Sequence, residues 1–231
     1  MMERTVLVTG ASGNLGNAVV RKFLEQDFRV AALDSSAHKT LRGTSGRLRS
    51  FAVDLGDETR VREVLDEVYG QFGSIEMAVL TVGGFAMGRL AETGMEDMDR
   101  MYRLNFVTAF NPARQLFARM EGQKGGGQLV FIGTRPALQP EQAKSMVAYA
   151  LSKSLLFRLA EVINADGRKQ GISASVVIPS TMDTPQNRSA MPDADFSKWV
   201  TPDEVAENIL HLVSPAGGKL RESILKVYGD S

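Results

Sequence analysis

Apolar positions along the chain switch repeatedly between two periods. Residues 5–8 form a short β-branched run, which predicts a buried strand. Residues 15–26 then put Val19, Phe23 and neighbouring apolar positions on one helical stripe. The exchange recurs, with strands expected at 28–33, 48–55, 75–84, 125–134, 171–180 and 223–229. Helices are expected at 57–73, 95–120, 145–165 and 201–214. Asp57 is placed to cap the helix that follows it, and Thr201 with Glu204 forms a capping box with Pro202 in the first helical position. Pro112 should kink or break the long helix at 95–120. Strands that alternate with helices throughout predict an α/β fold, doubly wound, with a mostly parallel sheet of about seven strands. No repeat, low-complexity tract or linker divides the chain, so residues 1–231 read as a single domain.

Composition narrows the chemistry. The chain has 27 Lys plus Arg against 27 Asp plus Glu, so charge gives no reason to expect a nucleic-acid or anionic-membrane partner. Without cysteine, disulfides and thiolate metal sites are excluded. The two histidines, His38 and His211, are far apart in sequence, and no metal is expected. The N-terminal residues lack the pattern of a signal peptide, and no apolar run approaches the ~18 residues of a membrane span. These features together predict a cytoplasmic protein.

The segment TGASGNLG, residues 9–16, joins the first strand to the first helix. Gly10 permits a tight turn, Gly13 lets the backbone approach a phosphate, and Gly16 lets the helix pack closely on the sheet. The helix N-terminus offers free N–H groups to a pyrophosphate, with Ser12, Asn14 and Leu15 around it. Asp34 ends the second strand, where a carboxylate accepts from the ribose hydroxyls of NAD and repels a 2′-phosphate. The turn and the acid together predict a Rossmann-type dinucleotide site. Lys39 and Arg42 follow in a polar loop and offer the alternative of a 2′-phosphate. NAD(H) is therefore favoured, and NADP(H) remains the alternative.

Late in the chain, AYALSKS sets Tyr149 four residues before Lys153. On a helix the two share a face. A lysine there would pull the phenol below its usual pKa of ~10. By itself the pair reads either as a tuned proton donor or as a core aromatic beside a lysine. With the glycine turn and the strand-end acid, it resembles the short-chain dehydrogenase/reductase family over the whole chain. The resemblance implies that Tyr149 exchanges the proton while hydride moves at a nicotinamide, and that Lys153 tunes it and binds the nicotinamide ribose. It implies an adenine contact for Asp54 and Leu55, a water-holding role for Asn105, and coenzyme contacts for Val82, Gly83, Pro179 and Thr184. Four features depart from the family pattern: Asn14 in the glycine turn, VGG after the fourth strand, Ser180 after Pro179, and no clear carbonyl-polarising serine. Thr134 follows the fifth strand at roughly the serine's place, somewhat further from Tyr149 than the family spacing.

Residues 180–199, STMDTPQNRSAMPDADFSKW, closely resemble the matching segment of the dihydropteridine reductases, a branch of that family. The loop GGFAMG, residues 83–88, is similar to that branch as well. This narrower resemblance implies a substrate lid near 180–200, NADH as reductant and a quinonoid dihydropterin as small-molecule substrate. It also implies that no hydroxyl is needed to hold a ketone oxygen, with Phe85 and Trp199 as walls for a flat ring. The alternatives are a general short-chain carbonyl reductase or alcohol dehydrogenase, and a non-catalytic dinucleotide-binding regulator. Family resemblance further implies a homodimer or homotetramer packed through the helices at 95–120 and 145–165. There Met101, Phe106, Phe110 and Phe117 suit either core or interface.

Overall fold

Seven apolar runs pair into one parallel sheet. In chain order its strands are β1 (Thr5–Thr9), β2 (Arg29–Asp34), β3 (Leu48–Ala52), β4 (Met77–Leu80), β5 (Gly127–Ile132), β6 (Ile172–Pro179) and β7 (Ile224–Val227). They lie in the order β3-β2-β1-β4-β5-β6-β7, and every adjacent pair is parallel. This is a computed structural model that describes residues 4–35, 46–214 and 216–230. His38, Lys39 and Arg42 lie outside the described residues.

A parallel sheet needs both faces covered, because its crossover helices lie on those faces. Here α1 (Asn14–Glu25) and α8 (Pro202–His211) cover one face, burying Val19, Phe23, Val205 and Ile209 against β1, β2 and β4. The other face is covered by α2 (Glu58–Phe72), α4 (Thr108–Met120) and α6 (Val147–Asp166). Val61, Leu116 and Leu156 are buried there against Leu7, Leu129 and Phe131. Phe23 is fully buried and meets Phe28 edge-on at 4.9 Å, and burial of such a side chain contributes ~2 kcal/mol or more. The expected caps form. Asp57 accepts from the Thr59 and Arg60 amides at 2.9 and 3.1 Å, and Thr201 and Glu204 close a reciprocal box at the start of α8.

The segment expected as one helix over 95–120 is two helices. Between α3 (Met95–Tyr102) and α4 lies a wide π-turn, Arg103–Val107. The Thr108 amide bonds the Arg103 carbonyl, five residues back, and the Thr108 hydroxyl bonds the Leu104 carbonyl at 2.7 Å. Pro112 sits inside α4 instead of ending it. Its ring crowds the carbonyl one turn back, at Thr108, where the widened turn ends. Two short helical elements absent from the sequence reading precede α6: a 3₁₀ turn at Arg135–Ala137 and α5 (Pro140–Ala143). The 180–200 segment holds α7 (Pro185–Ala190) and a 3₁₀ turn at Phe196–Lys198. Met182 bridges Val200, and the Asp183 amide bonds the Val200 carbonyl at 2.7 Å, so the segment is closed at its base. Among the described residues no helix is long and apolar enough to cross a membrane, and no group of side chains suits a metal ion.

Candidate active site

A cleft of about 850 Å³ opens at the carboxyl ends of β1, β2 and β4. This is where ligands bind in open α/β sheets, at the point where strand order reverses. Of the residues expected to hold a dinucleotide, Gly10, Ser12, Gly13, Asn14, Leu15, Gly16, Asp34, Asp54, Leu55, Val82, Gly83 and Thr184 line it. A Cβ at Gly16 would stand 2.1 Å from the Gly10 carbonyl oxygen, so the turn folds back on the helix only with glycine there. Asp34 is held by Ser12, whose amide donates to Oδ2 at 3.0 Å and whose hydroxyl donates to Oδ1 at 2.9 Å. Asp54 is exposed and accepts from the Gly56 amide at 2.8 Å. The Leu55 carbonyl accepts from Asn111 of α4 at 2.9 Å. Thr184 lines the cleft and also caps α7, accepting from the Asn187 amide at 3.2 Å. Pro179 ends β6 beside Val227 and does not line this cleft. These residues fit a dinucleotide: the turn is lined by backbone, and a carboxylate lies at the end of β2.

Two of the catalytic candidates, Asn105 and Lys153, meet beside Gly83. A Cβ there would stand 2.7 Å from Asn105 Oδ1 and 2.9 Å from Lys153 Nζ. Asn105 is fully buried in the π-turn. Its Oδ1 accepts from the Gly84 amide at 2.9 Å and its Nδ2 donates to Ser152 Oγ at 3.0 Å. Ser152 in turn donates to the Tyr149 carbonyl at 2.9 Å, so the loop after β4, the π-turn and α6 are tied together. Lys153 is buried and donates to the Ile132 carbonyl at the end of β5 at 2.8 Å. Thr134, buried just beyond β5, shares a side-chain hydrogen bond with the Tyr149 hydroxyl. Thr134 is therefore near the tyrosine.

Burial sets the ionisation of this group. It pushes the Lys153 ammonium down from 10.5 to about 8. It pushes the Tyr149 phenol up, and the hydrogen bond from Thr134 pulls partly the other way. The sequence predicted a phenol lowered by Lys153. In the free protein desolvation dominates instead, and the ammonium is turned toward the Ile132 carbonyl. Phe85 is 59% exposed and meets Tyr149 edge-on at 5.1 Å. Trp199 lies in the 180–200 segment against Phe196 at 4.8 Å. Phe196 also lies under Arg188, which forms a two-pronged ion pair with Asp183.

Sequence reasoning missed several contributors. Thr81 lines the cleft and clasps Thr9: its amide donates to Thr9 Oγ1 at 3.1 Å and its hydroxyl to the Thr9 carbonyl at 2.6 Å. Gln186 reaches across the cleft and accepts from Asn14 Nδ2 at 2.8 Å. Ser152 was detectable, since it is a small polar residue between Tyr149 and Lys153 on a helix whose buried positions are otherwise mostly apolar.

The family model for short chain dehydrogenases matches residues 4–195. A dihydropteridine reductase of Dictyostelium discoideum is 26% identical over 211 residues, covering 90% of this chain and 87% of that one. A D-threitol dehydrogenase of Mycolicibacterium smegmatis is 26% identical over 241 residues, covering 98% and 92%. Among solved structures, an oxidoreductase of the short chain dehydrogenase/reductase family from Burkholderia thailandensis superposes with a TM-score of 0.86 at 24% identity, covering 99% and 92%. The matched span takes in every strand but the last, together with the helices that carry Asn105, Tyr149 and Lys153, so the chain belongs to the short-chain dehydrogenase/reductase family and is an NAD(P)-dependent oxidoreductase.

Proposed function

We propose that this oxidoreductase uses NADH to reduce a flat, conjugated substrate of the quinonoid dihydropteridine type. The observation that carries the reading is the exposed ring of Phe85 set edge-on to the ring of Tyr149, an aromatic wall next to the residue read as proton donor. The similarity to a dihydropteridine reductase supports it, as does the 180–200 segment with its Phe196–Trp199 pair. Asp34 at the ribose end supports NADH over NADPH.

A bound nicotinamide coenzyme supplies the hydride. The chain's own residues handle the proton and the orientation. With its pKa raised by burial, Tyr149 keeps its proton at neutral pH, which is the state a donor needs in a reduction. The Asn105–Ser152 bond and the Lys153–Ile132 bond anchor two successive residues of α6 one turn after Tyr149, which helps to position the phenol before any ligand arrives.

A second reading is favoured by Thr134. A hydroxyl hydrogen-bonded to Tyr149 is also what a carbonyl reductase needs to polarise a ketone oxygen. Removal of that hydroxyl separates the two. Thr134→Ala should lower kcat/KM for simple ketones by about a hundredfold, the cost typical of a lost oxyanion donor. Under the pteridine reading it should change quinonoid dihydropterin reduction by only a few fold. Equal losses on both substrates would reject the pteridine preference. Tyr149→Phe should abolish turnover while NADH affinity persists. Full turnover in that variant would remove Tyr149 from the chemistry.

The buried lysine gives a signed pH dependence. Below about 8 the folded protein carries a charge it would rather shed, while the unfolded chain keeps its proton up to 10.5. Between these values the unfolded state binds more protons, so this contribution to stability rises with pH. Denaturant midpoints should show Lys153→Met more stable than the wild type at neutral pH. That advantage should shrink by up to about 3 kcal/mol as the pH approaches 10.5. An advantage that stays constant would count against burial as the cause.

We also propose a homo-oligomer joined through α4 and α6. Met101 is buried, whereas Phe110 is 37% and Val162 55% exposed, and both line a shallow groove between these helices. Tyr102, Phe106 and Phe110 stack along its approach. Light scattering should give a dimer or tetramer for the wild type and a monomer for Phe110→Asp combined with Val162→Asp. A monomeric wild type would refute this.

A further inference from the structure

The loop that leaves β4 is tied down at both ends of its segment Gly84–Gly88. The Gly84 amide donates to Asn105 Oδ1 at 2.9 Å, and a Cβ on Gly84 would stand 2.2 Å from Leu104 Cδ2, so this end lies close against the π-turn. At the other end Gly88 forms an isolated parallel bridge with Met146. Its amide donates to the Ser145 carbonyl at 2.7 Å, and its carbonyl accepts from the Val147 amide at 3.0 Å. Val147 opens α6, the helix whose first turn carries Tyr149.

Between the two ties burial alternates along the chain. Gly84, Ala86 and Gly88 are half-buried, whereas Phe85 is 59% and Met87 65% exposed. In an extended segment alternate side chains share a face and stand about 7 Å apart. Met87 therefore stands beside Phe85, on the side where the Phe85 ring meets Tyr149. Single exposed apolar side chains are ordinary on a surface. Two on one face of a segment fixed at both ends, next to the phenol, form a wall that the backbone does not swing aside. The methionine thioether is unbranched and polarisable, which suits contact with ring edges and alkyl groups. Neither side chain compensates the desolvation of a hydroxyl with a strong hydrogen bond.

We propose that Met87 is a specificity-determining residue. With Phe85 it extends the apolar wall outward from Tyr149, the Gly88 bridge holds that wall in place, and the wall selects flat substrates that carry an alkyl substituent over those that carry a hydroxylated one. The inference rests on the reading of the chain as a reductase of quinonoid dihydropteridines. It goes beyond that reading by naming the substituent and the residue that reads it.

The test compares two quinonoid dihydropterins that differ in one ring substituent, propyl in the first and dihydroxypropyl in the second, with NADH saturating. Rates are measured for the wild type, Met87→Ala, Met87→Leu and Val147→Pro, with thermal midpoints as the control for folding. The wild type should favour the propyl compound about tenfold in kcat/KM, the scale of a methylene or two in an apolar pocket. Met87→Ala should remove most of that preference by raising KM for the propyl compound. Met87→Leu, a swap of similar volume, should keep it. Val147→Pro deletes the amide that holds Gly88 yet suits the first position of α6. It should reduce the preference although Met87 is intact, and an unchanged preference there would remove the bridge from the proposal. If the wild type reduces both compounds equally well, or if Met87→Ala slows both by the same factor, the inference is overturned while the pteridine reading stands. If neither compound is reduced, the pteridine reading fails and the inference falls with it.

Discussion

The site depends on a pair of hydrogen bonds at the strand ends, both donated by Thr81 to Thr9. β1 and β4 are neighbours in the sheet but not in the chain. The helix that leaves β1 covers one face, and the helical segment that follows β4 leads to the other. A gap between the strand ends is the geometric result. Unclasped, those two ends would be free to fray. Held together, they fix the distance from the glycine turn to the Val82–Gly83 segment, and so from the phosphate end of the cleft to Lys153 and Asn105.

Beyond that gap the protein spends stability on order. An ammonium and an asparagine are buried in contact with a glycine, and a serine and a threonine complete their surroundings. Each polar group has a partner: Lys153 the Ile132 carbonyl, Asn105 the Gly84 amide and Ser152, and Thr134 the Tyr149 hydroxyl. A buried network in which each group holds a bonded partner favours one arrangement, because alternatives leave donors or acceptors stranded in a dry interior. The wide π-turn belongs to this economy. It delivers Asn105 inward from a segment that a regular helix would have rotated differently.

Much of this could be read from the residues because parallel strands are buried on both faces and so appear as unbroken apolar runs. The strands near Val6–Val8, Val30–Leu33 and Ala174–Ile178 are of this kind, and Gly10 and Asp34 fall where the first two of them end. The π-turn was hidden because Pro112 is the louder signal, and a proline marks a misfit without saying on which turn the backbone absorbs it. Thr134 was obscured by counting. The extra distance to Tyr149 is taken up in the short helical elements at Arg135–Ala137 and Pro140–Ala143, which leave Thr134 next to its partner. Ionisation was hardest to read. A face shared by Tyr149 and Lys153 predicts their proximity, but the balance of burial against charge needs the three-dimensional surroundings.

The segment from Met182 to Val200 lies between β6 and α8 and is closed by a neck, the Met182–Val200 bridge and the Asp183–Val200 bond. Inside the neck it carries its own small architecture of Asp183, Arg188, Phe196 and Trp199. Replacements within such a loop do not propagate into the strand ladder, because the neck is closed by contacts of its own backbone. A segment of this kind can change its own side chains while the sheet beneath it stays fixed.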